Sequence, residues 1–328
     1  MMKFEAQILS KEIIKPSSPE IHQKEPFKLC VFDQLTPTTY VPIILKKSLS
    51  ETLNILYPFS GRIFSNLFIH DFDAGVPFLS ARIELHISMM ENLWFTEGNF
   101  ITRKFVFNEE AIAILKDMTK GEVVTTPTRT VAISAFIWKC SMAASRAIQG
   151  TLKPSIVVQV VKMRSKGKLT TLDGSIGNVF WLASALSNPA ETGTELSTLV
   201  ELMSQSIAAI DDEYMRSVQG EQGFEAIAEH LNQLELLFSF EKPDIFAFTS
   251  WINTHFDKLD FGWGQPCSWA ILGKAGQFGN LTILVETKYG KGIEAWITLD
   301  ETRMYALQKD HEFLNFASPD LQISSLYF

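Results

Sequence analysis

Six histidines are the residues in this chain best suited to proton transfer, because the imidazole pKa lies near neutrality. They are His22, His70, His86, His230, His255 and His311. Acidic residues follow His70 and His255 within five positions, which is compatible with carboxylate or metal chemistry. Both stretches also have the composition of polar turns. A structural role is therefore favoured for each, and a catalytic role stays open.

The sequence motifs that would indicate a hydrolase or a metal enzyme are absent. The chain has no HExxH, no GxSxG and no Walker-type loop, and its nearest serine candidate, Gly174–Gly177, lacks the spacing of a nucleophile elbow. The three cysteines are widely spaced without a CxxC pair; they are Cys30, Cys140 and Cys267. These observations argue against a serine hydrolase, a metalloprotease, a structural zinc site and a disulfide framework, and we expect no bound metal.

The most unusual local string is Gly262–Trp263–Gly264. Paired glycines allow a left-handed backbone or the close approach of another segment, and the tryptophan between them requires packing. The string does not complete a dinucleotide-binding fingerprint, because Cys267 stands where the third glycine would be. We therefore expect a specific structural feature here and not a phosphate-binding loop.

Hydrophobic periodicity predicts the elements that would position such residues. Apolar stripes at helical spacing predict a helix over about Thr130–Ala147 and another over Glu195–Met215, with the acidic run 211–213 marking the solvated end of the second. Alternation over 281–285 and 293–299, on either side of a glycine-containing turn, predicts a hairpin. Strands and helices without regular alternation indicate a mixed sheet-and-helix fold and not a doubly wound dinucleotide domain.

Composition limits the class of protein and its partners. At 328 residues and 46% hydrophobic content, the chain can form one large domain or two of ordinary size. The net charge is −8, and no dense run of Lys and Arg occurs that would form the basic surface of a nucleic-acid-binding protein. We therefore expect a small-molecule partner. Residues 1–12 lack the apolar core of a signal peptide, and no stretch of about 18 apolar residues occurs. We expect a cytoplasmic protein that does not bind membranes.

Asp260–Phe261–Gly262–Trp263–Gly264 matches the DFGWG motif of the BAHD acyltransferases, a family of plant-type acyl-CoA-dependent enzymes. Four further strings resemble this family and occur in its order: Tyr57–Arg62 (YPFSGR), Ile133–Cys140 (ISAFIWKC), Ser175–Trp181 (SIGNVFW) and Lys291–Asp300 (KGIEAWITLD). The resemblance extends from the first residues to Pro319. It is strongest to the branch of the family that acetylates alkaloids and terpenoids.

The resemblance implies a fold and a reaction. The implied fold is α/β with mixed sheets and helices, in a two-domain arrangement like that of chloramphenicol acetyltransferase. An incomplete N-terminal domain would span residues 1–115, and a C-terminal domain that carries DFGWG would span 116–328. The implied protein is a monomer without a bound cofactor, and it uses acyl-CoA, here acetyl-CoA, as co-substrate. In the family, a His from an HxxxD motif deprotonates the acceptor hydroxyl, which attacks the thioester carbonyl without a covalent acyl-enzyme.

The HxxxD motif itself is not found in this chain. The residues four positions after the six histidines are Pro26, Ala74, Met90, Leu234, Leu259 and Asn315. No catalytic His or Asp is therefore assigned.

Two places indicate that internal stretches of the family's sequence are lacking. Val41–Leu45 has the composition of a strand and Leu49–Leu56 the spacing of a helix, yet no turn residues separate them. Ala81–Glu84 and Ile101–Phe107 resemble the strands that flank the family's motif region, and the chain passes between them through Met90 without the motif. A shortened gene product is favoured, and loops left out of the sequence stay a second interpretation.

The resemblance implies that the DFGWG residues have a mainly structural role, away from the base that activates the hydroxyl group. It implies that Asp260 pairs with an arginine, and the candidate is Arg164, because Val161–Arg164 (VKMR) matches the family's VNLR string. A surface aspartate without a partner is the alternative.

We therefore expect an O-acyltransferase that moves an acetyl group from acyl-CoA to a hydroxyl group of a plant specialised metabolite, the small-molecule alcohol acceptor. Because the family's base is absent, we expect the activity of this chain to be low. One alternative is a catalytically dead paralogue that binds acyl-CoA or a partner enzyme. Another is a chain that fails to fold stably because apolar faces are left uncovered.

Overall fold

The computed structural model describes residues 98–151, 153–163, 180–188, 194–218, 223–239, 243–255, 258, 279–288 and 290–319. In chain order the described elements are β1 (Phe100–Phe107), α1 (Glu109–Met118), α2 (Arg129–Gln149), β2 (Ser155–Lys162), β3 (Phe180–Ser187), α3 (Leu196–Ala208), α4 (Asp212–Ser217), α5 (Gly223–Ser239), β4 (Asp244–Ser250), β5 (Leu281–Glu286), β6 (Ile293–Asp300), α6 (Glu301–Leu307), α7 (His311–Leu314) and β7 (Ser318–Pro319). Strands and helices do not alternate regularly, as the sequence predicts.

The described strands form one mixed sheet in the order β3-β2-β4-β5-β6-β1-β7. Strands β2, β4 and β5 run parallel to one another, and the remaining neighbours are antiparallel. This arrangement confirms the mixed α/β fold. Parallel neighbours need long crossover connections, and the segments between β2 and β4 and between β4 and β5 are long enough to supply them.

Helix α2 is the central helix of the main core. The predicted bounds of Thr130–Ala147 agree with the observed Arg129–Gln149, because Thr128 accepts a hydrogen bond from the Val131 amide at the start and Gly150 closes the end with φ of 75°. Trp138 on this helix donates from Nε1 to Ser155 Oγ of β2 at 2.7 Å. By length and composition α2 could cross a membrane, but 72% of its most apolar window is buried within the protein. Its core position accounts for its apolar composition.

The single helix predicted over Glu195–Met215 is wrong in one respect, because the structure has two helices there. Helix α3 ends at Ala208, and α4 begins at Asp212. The side chain of Asp211 accepts hydrogen bonds from the amides of Glu213 and Tyr214 and so caps α4. The acidic run interpreted as a solvated helix end is therefore the start of a new helix, where carboxylates are favoured.

The predicted C-terminal hairpin is confirmed. Strand β5 pairs antiparallel with β6, with Leu284 opposite Ala295, and Gly290 in the connection has φ of 82°. Alternation holds along β6, where the odd-numbered residues 293–299 face the helices and join the main core. Strand β1 extends the hairpin on its other side, pairing with β6 over all eight residues.

Several predictions fall outside the described residues, among them the strand Val41–Leu45, the helix Leu49–Leu56 and the joins near Leu45 and Met90. The division into domains at residues 115 and 116 stays a prediction. That position lies within α1, and β1 before it belongs to the same sheet as β2 to β7 after it.

Candidate functional site

The parallel strands of the sheet end at one common edge. Strand β2 ends at Lys162, β4 at Ser250 and β5 at Glu286, and their register places these ends side by side. Open α/β sheets bind ligands beside the carboxyl ends of their parallel strands. We therefore take this edge as the candidate site.

A tight turn follows β4 at this edge. Asn253 and His255 both adopt left-handed backbone conformations, with φ of 62° and 56°. Thr254 Oγ1 donates to the carbonyl of Trp251 at 2.6 Å, and the Lys258 amide donates to the carbonyl of His255 at 3.0 Å. Strained residues persist where surrounding contacts hold them, and such residues are concentrated at functional sites.

The Glu286 carboxylate anchors this turn. Glu286 Oε1 accepts a hydrogen bond from Arg129 Nη2 at 2.9 Å, and Oε2 accepts one from the Asn253 amide at 3.4 Å. Arg129 also donates from Nη1 to the carbonyl of Lys291 at 3.0 Å. The end of β5, the first residue of α2 and the turn after β4 are therefore held together through one carboxylate.

The sheet face that points away from the helices carries polar side chains near the same edge. The register places two rows there, one of Thr249, Ile283, Trp296 and Lys104 and the other of Val285, Glu294 and Val106. Lys104 Nζ lies 3.7 Å from Glu294 Oε1 and 5.6 Å from the centroid of the Trp296 ring. We call Lys104, Glu294 and Trp296 the polar triad.

Three histidines lie in the described part of the chain, and they are far apart in its architecture. His255 is exposed in the turn at the candidate edge, His230 lies on α5, and His311 is the first residue of α7. No ion pair joins any of the three to a carboxylate within the described residues. His255 is therefore the described histidine that lies at the candidate site, without an orienting carboxylate among those residues.

His230 lies in a second, smaller core with Trp181 and Tyr214. Its ring centroid is 5.2 Å from that of Trp181 and 5.9 Å from that of Tyr214. Burial lowers the pKa of His230, and its hydrogen bond to the carbonyl of Leu182 on β3 acts in the opposite direction. Burial also raises the pKa of Tyr214, so both side chains are neutral at pH 7. The contacts and neutrality indicate a packing role.

Metal ligands and reactive thiols do not gather in the described part of the chain. No three His, Cys, Asp or Glu residues there are placed to hold a metal ion. Cys140 is buried in the core on α2, and burial raises its pKa well above the ordinary value, which keeps the thiol protonated and unreactive.

The DFGWG residues and their predicted partner lie outside the described residues. They are Arg164, Asp260, Phe261, Gly262, Trp263 and Gly264. By chain connectivity, Arg164 directly follows Met163 beyond β2, and Asp260 follows Lys258 by two residues beyond the turn after β4. The described strands that precede these residues in the chain, β2 and β4, are parallel neighbours in the sheet, and the pairing of Asp260 with Arg164 stays a prediction.

Comparison with protein families decides the relationship. A model described as the transferase family matches residues 4–97 and 95–314. The chain belongs to this family, the BAHD acyltransferases. The two matched pieces meet at residues 95–97, so the BAHD pattern is interrupted within a few residues of the join predicted near Met90.

A BAHD relative in Citrus sinensis, limonoid 7-O-acetyltransferase, is 27% identical over an alignment of 455 positions that covers 97% of this chain and 99% of the relative. That alignment exceeds the 328 residues of the chain by 127 positions. At least that many residues of the relative therefore have no counterpart in this chain, which supports internal interruptions of the BAHD sequence.

Solved structures show that the BAHD fold is retained. Vinorine synthase matches with a TM-score of 0.68 at 22% identity, over 95% of this chain and 98% of that chain. TRI101 of F. sporotrichioides, complexed with coenzyme A and T-2, matches with a TM-score of 0.53 at 19% identity, over 74% of this chain and 56% of that chain. These similarities confirm the fold expected from the sequence.

The polar triad was not predicted from the sequence. Glu294 and Trp296 lie in the KGIEAWITLD string, which was used only as a mark of resemblance and as a strand. In the sequence the two residues only continue the alternation of an amphipathic strand, which has an apolar inward side and a more polar outward side, so no local signal distinguished them.

Proposed function

We propose that this chain is an acyl-CoA-dependent O-acyltransferase that transfers an acetyl group from acetyl-CoA to a hydroxyl group of a plant terpenoid or alkaloid. The observation that carries the proposal is the match to the family model over residues 4–97 and 95–314. The name of the Citrus relative supports acetyl as the group transferred and a terpenoid hydroxyl as the acceptor. The coenzyme A complex of TRI101 supports a thioester of coenzyme A as the donor.

In this reaction the acceptor oxygen attacks the thioester carbonyl. A carbon–oxygen bond forms, the carbon–sulfur bond breaks, and the proton of the hydroxyl group leaves with coenzyme A as its thiol. General base catalysis contributes about 100- to 10,000-fold to such a step. Because this chain lacks an HxxxD motif, we expect its acetyl transfer to be slower than that of a relative with the motif by about that factor.

Release of the coenzyme A thiol tests the proposal. Purified protein would be incubated with acetyl-CoA and a panel of terpenoid and alkaloid alcohols, and the free thiol would be measured over time. We expect slow release that requires both the protein and an alcohol, with the Citrus relative as positive control. Release that is independent of the alcohol, or absent for every alcohol, contradicts the proposal.

A second candidate function is binding of acyl-CoA without turnover. The lack of an HxxxD motif is the observation that favours it. Calorimetric titration with coenzyme A separates the two candidates, because binding without thiol release indicates the binding function. Lack of both binding and release contradicts both.

The proposed protein acts as a cytoplasmic monomer. The three widely spaced cysteines, an odd number without a CxxC pair, support a reducing, cytosolic setting. Sedimentation of the purified protein tests the monomer, and fluorescence of a tagged chain in plant cells tests the location.

A further inference from the structure

The polar triad contains two polar atoms whose hydrogen-bonding capacity is unused. Glu294 Oε2 and Trp296 Nε1 are both shielded from solvent, and neither has a hydrogen-bond partner among the described residues. The Trp296 residue is only 2% exposed, and the Glu294 side chain is 15% exposed. Buried polar atoms are nearly always paired, so each such exception requires an explanation.

Neighbouring polar groups on the same sheet show how such pairing is ordinarily achieved. Thr102 and Thr298 lie across β1 and β6 on the same face and satisfy each other at 2.8 Å. Trp138, on the other side of the sheet, donates from its indole Nε1 to Ser155 Oγ. Thr102 and Thr298, on the same face of the same two strands, are therefore satisfied within the sheet, whereas Glu294 Oε2 and Trp296 Nε1 are not.

The two atoms are complementary in chemistry and belong to residues on the same face of β6. An ionised carboxylate oxygen only accepts hydrogen bonds, and an indole N–H only donates them. Residues two apart on one strand point to the same face, about 7 Å apart along it. Lys104 attracts the other carboxylate oxygen, Oε1, and so leaves Oε2 available. A hydroxyl group is the simplest partner, because it can donate to a carboxylate oxygen such as Glu294 Oε2 and can accept from an N–H group such as Trp296 Nε1.

The face has an accessible end beside the candidate site. Trp251 follows β4 next to the row that contains Val285 and Glu294, with its amide donating to the Leu284 carbonyl at 2.8 Å, and it is 36% exposed. Thr249 lies in the row that contains Trp296. Thr249 and its neighbour Ile283 are partly exposed, so a molecule at the carboxyl edge can contact the row that contains the buried Trp296.

We propose that Glu294 Oε2 and Trp296 Nε1 bind a hydroxyl group of the acyl acceptor and select neutral alcohols. This inference rests on the proposed function, since it assigns acceptor-binding residues to the same enzyme. The carboxylate repels an anionic acceptor, and the partly exposed apolar side chains of the two rows, Ile283 and Val106, provide contacts for a terpenoid skeleton.

Equilibrium binding of a matched ligand pair tests the proposal without requiring turnover. The probes are a limonoid alcohol and its deoxy analogue, titrated calorimetrically into the full 328-residue protein. We expect the alcohol to bind about tenfold more tightly than the deoxy analogue, a ratio that corresponds to about one good hydrogen-bonding interaction. Equal affinities would mean that no hydroxyl is recognised, and would overturn the inference.

Two variants test whether the polar triad is responsible for the preference for the alcohol. Glu294→Gln keeps the shape of the side chain, but Lys104 favours the amide oxygen, so the NH2 group is turned toward the ligand. Trp296→Phe removes the donor. We expect each variant to lose the roughly tenfold preference for the alcohol while the affinity for coenzyme A stays unchanged. Loss of coenzyme A affinity together with that preference would indicate a structural role and overturn the inference.

Matched controls come from the same chain. Glu110→Gln changes an exposed carboxylate on α1, and Trp138→Phe removes the same ring atoms from a tryptophan whose N–H is already paired. Both controls should keep the preference for the alcohol. If Glu294→Gln and Trp296→Phe behave like these controls, the unused atoms hold only water and the inference fails.

Failure of the inference is distinguishable from failure of the proposed function. If the protein transfers acetyl groups and both triad variants keep the preference for the alcohol, the proposed function stands and the triad's role is refuted. If instead the unaltered protein prefers the alcohol, both variants abolish that preference and no acetyl transfer is detected, the catalytic function is refuted and the triad's role is supported.

Discussion

Glu286 Oε1 accepts a hydrogen bond from Arg129 Nη2 at 2.9 Å, joining residues 157 positions apart in the chain. The other oxygen of the same carboxylate accepts from the amide of Asn253, in the turn that leads toward the DFGWG segment. Through the two oxygens of Glu286, the core helix α2 is therefore joined to the turn after β4 at the candidate edge.

Replacing Glu286 with Ala should loosen this turn more than it destabilises the protein. The two side chains are about a third exposed, and pairs of that kind contribute no more than about 1 kcal/mol. We expect faster hydrogen exchange at the Asn253 amide, measured by NMR or mass spectrometry, with little change in global unfolding. Glu109→Ala, which removes an exposed partner of Lys291, is the control. Unchanged exchange at Asn253 would contradict the anchoring role.

Replacing Arg303 with Ala should destabilise the fold strongly. Arg303 Nη2 donates to Asp244 Oδ1 at 2.8 Å, and both side chains are about 15% exposed, so the change leaves a carboxylate in a poorly solvated position. Removing one member of such a pair costs about 3 kcal/mol. Urea unfolding measures this cost. Lys120→Ala, in a fully exposed pair with Asp117, should leave the stability almost unchanged. Similar losses in the two variants would contradict the interpretation.

Replacing Ser155 with Ala should cost more than the loss of a small surface group. Ser155 accepts from Trp138 Nε1 and donates to the carbonyl of Asp244 at 3.1 Å. The change leaves a buried indole N–H unpaired, which costs about 1–3 kcal/mol. Thermal or urea unfolding measures the loss, and Ser217→Ala on the exposed side of α4 is the control. A loss equal to that of the control would show that the hydrogen bond is unimportant.

His230 should make stability depend on pH. Burial holds its pKa below the ordinary value of 6.5, so the unfolded chain binds the proton more readily than the folded one. Stability from this group is complete above pH 6.5 and decreases as the pH falls below that value. Unfolding at pH 7.5 and pH 5.5 should therefore show a smaller loss in His230→Gln than in the unaltered protein. Equal losses would indicate that His230 does not titrate differently on folding.

Local patterns predicted much of the fold. The stripe of Ile133, Phe136 and Ile137 predicted α2 to within two residues at each end, and the alternation around Leu284 and Ala295 predicted the hairpin. These signals worked because each element buries one face, and the burial leaves a period in the sequence. The break between α3 and α4 was missed because the apolar spacing continues across Asp211. The break is made by the side chain of Asp211, which caps the start of α4.

The candidate site was harder to predict because its residues come together through sheet register. Thr249, Trp296 and Lys104 lie in one row although they are far apart in the chain, and nothing in their local sequences specifies that row. The DFGWG segment and Arg164 were found by resemblance alone, and their pairing stays a prediction. The resemblance also showed that an HxxxD motif is to be expected in such a chain, and the sequence lacks one. The order of the strands carries no information on that motif.

In the proposed function, this chain transfers the acetyl group of acetyl-CoA to an alcohol even though it lacks an HxxxD motif. The most direct measurement is mass spectrometry of the alcohol after incubation with the protein and acetyl-CoA labelled with carbon-13 in the acetyl group. We expect a labelled acetyl ester that forms in proportion to the protein, about 100- to 10,000-fold more slowly than with a relative that has the motif. No labelled ester from any terpenoid or alkaloid alcohol, under conditions where coenzyme A binds, would contradict the proposed function.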